Sequence, residues 1–282
     1  MCELFAMSSR LAATINFSLE EFARHGGMQG PHKDGWGIAF YEEYDALILR
    51  APEPASESQL VKYIEKNSFH SNLVLSHIRK ATHGEVCLKN THPFSREIGG
   101  RLHVFAHNGE FPGVRSHPDY KLNIFRAIGS TDSEHAFCLL MDCLTDVWLN
   151  PTPPSLEQRL SILVTFTQRM EHLSPDVQAN FLYSDGEYLF VHGHVRRQAS
   201  DGMIRAPGLY TLCRSCHPNS NKRPSPITGL RMQTFKHDGN RQYAALAASV
   251  PLTDESWEPL LRGEIVVMQD GKIIKRVPPP SL

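Results

Sequence analysis

The chain has 282 residues, with 29 lysines and arginines against 30 aspartates and glutamates and a formal net charge of -1. So even a balance gives no field to attract nucleic acid and no polybasic segment to meet a membrane surface; Arg196-Arg197 and Lys222-Arg223 read as solvated loop charges. No apolar run approaches the ~18 residues of a spanning helix, and the opening MCELFAMSSR lacks the basic start and apolar stretch of a secretory signal, so a cytoplasmic location is expected.

Apolar residues make up 41% and charged residues 21%, the mix of an ordinary globular enzyme, and the length suffices to bury a substantial core. Six cysteines in such a chain do not suggest a disulfide framework. Cys213 and Cys216 form a CxxC without a second one, which is weak evidence for zinc and reads as structural thiols.

In chain order, Trp36 to Arg50 carries two apolar stretches around Glu42, Glu43 and Asp45, which predicts strand, turn, strand. Leu73–Ile78 and Leu102–Ala106 are apolar runs of strand length, each ending at a polar cluster that is thereby placed at a strand terminus. Thr131-Asp132-Ser133-Glu134 fits a helix start, and the periodic stretch that follows predicts a helix to about Val147, with Ala136, Leu139, Leu140 and Cys143 on one face. Asn150–Ser155 (NPTPPS) breaks the chain, and Leu156–Leu173 reads as a second amphipathic helix able to pack beside the first.

The second half reads mainly as strands. Phe181–Tyr183 and Tyr188–His192 flank Ser184-Asp185-Gly186-Glu187, and Ile265–Met268 and Lys272–Val277 flank Asp270-Gly271, both with an Asp-Gly suited to a type I′ turn. Leu209–Leu212 and Tyr243–Val250 are further strand candidates, Cys213–Pro226 is expected to be a polar loop, and residues 278–282 are expected to lie outside the core. Strands, then helices, then strands with hairpin turns predict an α+β fold of antiparallel sheets, without an internal boundary, so that 1–282 reads as one domain. Neither GxGxxG nor GxxxxGK[ST] occurs, and no cofactor is expected.

Cys2 directly follows the initiator methionine. Removal of Met1 would leave its thiol, with pKa near ~8.5, on the same residue as a free α-amine of pKa ~7.7–8.0. Such an amine is matched to act as a general base near neutral pH and can take the sulfur proton directly or through a water. Taken alone, Cys2 reads as an ordinary thiol that happens to lie at position two.

Downstream stand Asp34-Gly35-Trp36-Gly37, Ser76-His77-Ile78-Arg79-Lys80-Ala81-Thr82-His83-Gly84, Asn90-Thr91-His92-Pro93-Phe94, Ala106-His107-Asn108-Gly109 and Ser130-Thr131-Asp132-Ser133-Glu134. In type and order, together with Met1-Cys2, they resemble the class II (N-terminal cysteine) glutamine amidotransferases over the first half of the chain. The opening MCEL and the segment GPHKDGWG are most similar to the stand-alone YafJ-like branch.

The resemblance implies an Ntn-hydrolase fold, a four-layer αββα sandwich of two antiparallel sheets. It implies that Cys2 is the nucleophile and that Arg79 holds the substrate α-carboxylate, a task suited to a guanidinium fork; a surface ion pair is the plain alternative. It implies that Asp132 accepts from the substrate ammonium, where a helix cap is the alternative, and that Thr82 shapes the carboxylate pocket. Asn108 and Gly109 would form the oxyanion hole, on a sequence that also reads as an Asn-Gly turn at a strand end. Trp36 reads either as a pocket wall or as core packing, and His92 as a pocket-lining residue with no proton-transfer role. The spacings of His77, His83, His92 and His107 match no common zinc pattern, so these histidines read as groups that line or brace the site, with no metal. Related amidotransferases often carry an aromatic residue after the matched arginine; here it is Lys80.

The expected reaction is hydrolysis of the glutamine side-chain amide through a γ-glutamyl thioester on Cys2. Ammonia would pass to an acceptor or to a synthetase-type protein partner, since no second catalytic domain is visible. The alternative is a γ-glutamyl amide or peptide hydrolase acting on a larger γ-glutamyl compound, because Arg79 and Asp132 would read the same glutamyl end. A scaffold without chemistry is disfavoured by the intact set of candidate residues.

Overall fold

A computed structural model of the chain describes residues 2–17, 33–67, 69–80, 84–216, 230–234 and 242–279. Met1, Thr82, His83, Lys222-Arg223, residues 217–226 of the expected polar loop and residues 280–282 lie outside the described residues. The elements are β1 (Glu3–Phe17), β2 (Trp36–Glu42), β3 (Asp45–Ala51), helix α1 (Gln59–Asn67), β4 (His70–Ile78), β5 (Phe94–Ile98) and β6 (Arg101–Glu110). Helices α2 (Asp132–Trp148) and α3 (Leu156–Leu173) follow, then β7 (Gln178–Ser184), β8 (Leu189–His192), β9 (Arg196–Arg197), β10 (Ile204–Arg205) and β11 (Tyr210–Cys216). The last are β12 (Leu230–Thr234), β13 (Gln242–Ala248), β14 (Glu258–Pro259), β15 (Ile265–Gln269) and β16 (Lys272–Val277).

The first sheet runs β14-β11-β13-β1-β4-β2-β3 with β12 also paired to β1, and the second runs β16-β15-β8-β7-β6-β5. Every pairing is antiparallel. The fold is α+β, as the order of elements predicts.

Three apolar layers hold it together. Because side chains alternate along a strand, β1 sends Leu4 and Ala6 between the sheets, where they meet Val104, Ala106, Leu182 and Val191. It sends Phe5 and Met7 to the outer face, with Trp36, Ile38 and Trp257. The second sheet packs its outer face, including Phe105 and Phe181, on Phe137, Leu140 and Leu144 of α2 and Leu163 and Phe166 of α3. The outer helical layer on the first sheet is thin among the described residues: α1 inserts Val61 and Ile64. None of the helices among them is long and apolar enough to cross a membrane.

The helix signals are realised closely. Thr131 caps α2 by accepting from Glu134 N at 3.2 Å, and α3 opens with a reciprocal capping box between Ser155 and Gln158. Asp270 and Gly271, with φ of 49° and 75°, turn the β15–β16 hairpin.

The other Asp-Gly does not make the expected type I′ turn. Asp185 to Tyr188 form a longer loop in which the Asp185 carboxylate accepts from Glu187 N and Tyr188 N at 3.0 and 3.1 Å. Nor is Cys213–Cys216 part of a loop: it completes β11, with Cys213 opposite Ala245 and Cys216 opposite Gln242. Among the described residues no group of three or more His, Cys, Asp or Glu side chains could hold a metal ion.

A buried ionic cluster ties the Asp185 loop to α3. Arg159 donates to Asp185 Oδ2 and Glu187 Oε2, each at 2.9 Å, Arg101 reaches the same Glu187 oxygen, and the Arg159 guanidinium lies over the rings of Trp148 and Tyr188. Burial pushes the Asp185 carboxyl up, against the pull of Arg159. Arg159→Met would strand that carboxylate in the interior. It is expected to cost about 3–5 kcal/mol, the range for breaking a buried pair from one side, as a lowered midpoint in urea unfolding.

Candidate active site

The candidate site begins with strand register. Glu3 pairs with Ile78 across the antiparallel β1–β4 ladder. The residue before Glu3 and the residues after Ile78 therefore meet at one end of the first sheet. Lys80 N donates to Cys2 Sγ at 3.2 Å, and Sγ lies 3.4 Å from Lys80 O. The contact is made by backbone and does not depend on the side chain at position 80, so the departure to lysine costs nothing at the thiol. Burial raises the Cys2 pKa, while the Lys80 N–H and the Arg79 charge pull it down.

Arg79 is buried, 4% exposed, and sits beside this thiol contact. Its guanidinium donates to the carbonyls of Glu85 at 3.1 Å, Gly84 at 3.4 Å and Asp34 at 3.5 Å, and its backbone N–H donates to Gly35 O at 2.8 Å. The Asp34-Gly35-Trp36-Gly37 motif thus supports Arg79 from below. Trp36 itself is fully buried and packs in the apolar cluster with Phe5, Ile38 and Ile78. A Cβ at Gly37 would come within 2.1 Å of His92 O, so only glycine lets the His92 loop lie on β2.

The second sheet brings the next group. Asn108 Nδ2 donates to the Cys2 carbonyl at 2.6 Å and faces Ser249 Oγ at 3.4 Å. Asn108 and Gly109 are not at a turn, as the dipeptide suggested. They are the last part of β6, opposite Asn180 and Ala179 of β7. Gly109 has φ of 152°, and a Cβ there would meet Gln178 O at 1.7 Å. Beyond the strand, Phe111 N donates to Asp132 Oδ2 at 2.7 Å, while Asp132 Oδ1 accepts from Ser133 N at the same distance. Thr131 caps the helix, leaving Asp132 in its first turn, half-buried.

Cys2, Arg79, Asn108 and Asp132 are therefore linked by short steps around the ends of β1, β4 and β6. Thr82 lies outside the described residues. The histidines brace this region. The His77 and His92 rings lie against each other, tilted by 30° with centroids 4.1 Å apart, and both ring nitrogens of His92 are buried without a hydrogen-bond partner in the structure. Burial holds the His92 imidazole well below its ordinary pKa, so it is uncharged at neutral pH. His107 bonds Ser133 Oγ and Gln178 O, each at 2.9 Å, fixing α2 against β6 and β7.

Three contributors were not foreseen because they lie far along the chain. Ser249 accepts from Leu4 N at 3.0 Å, and its carbonyl accepts from Arg196, which pairs with buried Glu3 at 3.1 Å. Asn180 Nδ2 donates to Asn108 O at 3.2 Å and to Val195 O at 2.8 Å, while its Oδ1 accepts from His194 N. Ser249 and Asn180 are isolated polar residues with no motif around them, whereas Arg196, expected with Arg197 to be a solvated loop charge, is instead buried in β9 and paired with Glu3. The only sequence signal is polarity inside or beside an apolar strand.

The family model described as class-II glutamine amidotransferases matches residues 1–281. The chain is 32% identical over 270 residues to YafJ of Escherichia coli (strain K12), a candidate glutamine amidotransferase, covering 94% of this chain and 96% of the relative. Among solved structures it is similar to one described as a predicted glutamine amidotransferase from Pseudomonas aeruginosa PA01, with TM-score 0.65 and 28% identity, covering 97% of this chain and 100% of the other. A glutamine phosphoribosylpyrophosphate amidotransferase from B. subtilis shares the fold, with TM-score 0.53 at 12% identity, covering 98% of this chain and 49% of that one.

Gly109→Ala is the sharpest test of this geometry. The added Cβ has no space against Gln178 O, so β6 and β7 must part. Overpacking of this kind typically costs about 1–3 kcal/mol or more. The variant is expected to lower the unfolding midpoint and to lose catalytic activity; a variant as stable and active as the parent would contradict the placement of β6 against β7.

Proposed function

Because the chain belongs to the class-II glutamine amidotransferases, a family of enzymes, we propose that it hydrolyses the side-chain amide of glutamine through a γ-glutamyl thioester on Cys2. The observation that carries the reading is the convergence on one residue. The Cys2 thiol meets the Lys80 N–H beside Arg79, and the Cys2 carbonyl meets the Asn108 amide.

In this reading Met1 is removed and the α-amine of Cys2 takes the sulfur proton. The base is needed, because burial raises the thiol pKa and leaves little thiolate at neutral pH. Sulfur attacks the γ-carbonyl carbon, and the π electrons move to oxygen. Asn108 Nδ2–H and Gly109 N–H donate to that oxyanion. The long 3.4 Å approach of Asn108 Nδ2 to Ser249 Oγ is the bond the developing charge displaces. Collapse breaks the C–N bond, and ammonia leaves with the proton held by the amine. Water then gives a proton to the amine and adds to the thioester, the C–S bond breaks, and sulfur recovers its proton. Glutamine and water become glutamate and ammonia. Arg79 grips the α-carboxylate and Asp132 the α-ammonium throughout, with the remaining acceptor capacity of its carboxylate. Ammonia passes to an acceptor or a synthetase-type partner.

Ammonia release from glutamine, followed against pH, tests this. With the amine as base, kcat/KM is expected to rise with pH through about 7.7–8.0, the range of a free α-amine, and Cys2→Ala is expected to release none. A limb at the raised thiol pKa instead, above the ordinary thiol value, would show that the amine is not the base. Full activity of Cys2→Ala would remove the nucleophile.

A further inference from the structure

We propose that Asn90 is a positioning residue that sets the separation between Arg79 and Asp132, and so makes the site selective for ligands carrying a complete α-amino-acid head group. The proposal rests on the reading of the site given above. Asn90 is fully buried and uses both ends of its amide. Nδ2 donates to Glu85 O at 3.0 Å and to Ser130 Oγ at 3.2 Å, and Oδ1 accepts from Ser130 N at 2.8 Å. Glu85 O is the same carbonyl that accepts from Arg79 Nη1 at 3.1 Å. One side chain thus joins the loop that carries the guanidinium to a segment 40 residues further along the chain.

That segment leads directly into Asp132. Ser130 precedes the Thr131 cap, and the turn is closed by Gly129 N donating to Glu134 Oε2 at 2.6 Å and Glu134 N donating to Thr131 Oγ1 at 3.2 Å. A shift of Ser130 therefore carries the first turn of α2, and Asp132, with it. The fit is close: a Cβ at position 129 would come within 2.4 Å of Asn90 Oδ1. An α-carboxylate and an α-ammonium are held at a fixed spacing by one carbon. Two receptor groups bind them jointly only while their own spacing is held. The head group does not change between ground state and transition state, so loosening the grip acts on binding and not on the chemical step.

Two reagents separate this role from general support of the fold. A glutamine-like chloroketone carries the head group; iodoacetamide does not. The rate at which each forms an adduct on Cys2 is read by mass spectrometry of the full chain. For Asn90→Ala, chloroketone labelling at sub-saturating concentration is expected to slow about tenfold, the scale of one ordinary hydrogen bond's net contribution to binding. Iodoacetamide labelling is expected to be unchanged, and KM for glutamine to rise with kcat retained. Asn90→Asp, which keeps the acceptor for Ser130 N and loses the donor to Glu85 O, is expected to fall between. Should Asn90→Ala fail to fold, Ser130→Ala removes one end of the bridge and must shift the ratio of the two rates in the same direction. A folded variant with an unchanged ratio, or with both reagents slowed equally, overturns the proposal. If the parent protein itself forms no chloroketone adduct on Cys2, the reading of the site fails, and this proposal with it.

Discussion

The pairing of Glu3 with Ile78 is the constraint on which the site depends. An antiparallel ladder in that register obliges the residue before β1 to face the residues after β4, so Cys2 meets Arg79 and Lys80 without any dedicated loop. The ladder is held on both sides by apolar packing, with Leu4 and Ala6 between the sheets and Phe5 and Met7 beneath the outer layer. A slip of one residue would exchange those sets, so a register error costs the core and not merely the site. Fold stability and placement of the thiol are the same interaction.

The second sheet contributes through polar contacts that cross the sandwich. Asn108 reaches from β6 to the Cys2 carbonyl, Asn180 braces the Asn108 carbonyl, and Ser249 holds both Leu4 N and the Asn108 amide. Buried polar groups of this kind are costly when unpaired and strongly orienting when paired. The cluster explains how an amide donor and a terminal residue, on strands of different sheets, keep a fixed relation. It also accounts for the histidines: His92 and His107 are held uncharged by burial and serve as packed, oriented groups beside the site.

Much of this was legible from residues whose local chemistry is strong. Thr131 and Ser155 cap the two long helices, the NPTPPS break separates them, and Asp270-Gly271 turns a hairpin. The motifs that contain Arg79, Asn108 and Asp132 do lie at strand or helix termini. The strand β1 was not legible, because a register shift between Ser8 and Ala13 and the polar residues Ser8, Ser9 and Arg10 interrupt its alternation. Helix α1 spans only nine residues and buries only Val61 and Ile64, so its apolar stripe is short. Asn108-Gly109 reads as a turn because that dipeptide is common in hairpins, yet the demand for glycine comes from Gln178 across the ladder. Ser249, Arg196 and Asn180 acquire meaning only when distant strands meet, and no local pattern marks such residues.

The central claim is that the sulfur of Cys2 becomes covalently bonded to the γ-carbonyl carbon of glutamine during turnover. Rapid acid quench of the enzyme in steady state with isotopically labelled glutamine, followed by peptide mapping, addresses it directly. The N-terminal peptide should begin at Cys2 and carry one γ-glutamyl group on that sulfur. Label on another residue, or turnover with an unmodified N-terminal peptide that still retains Met1, would contradict it.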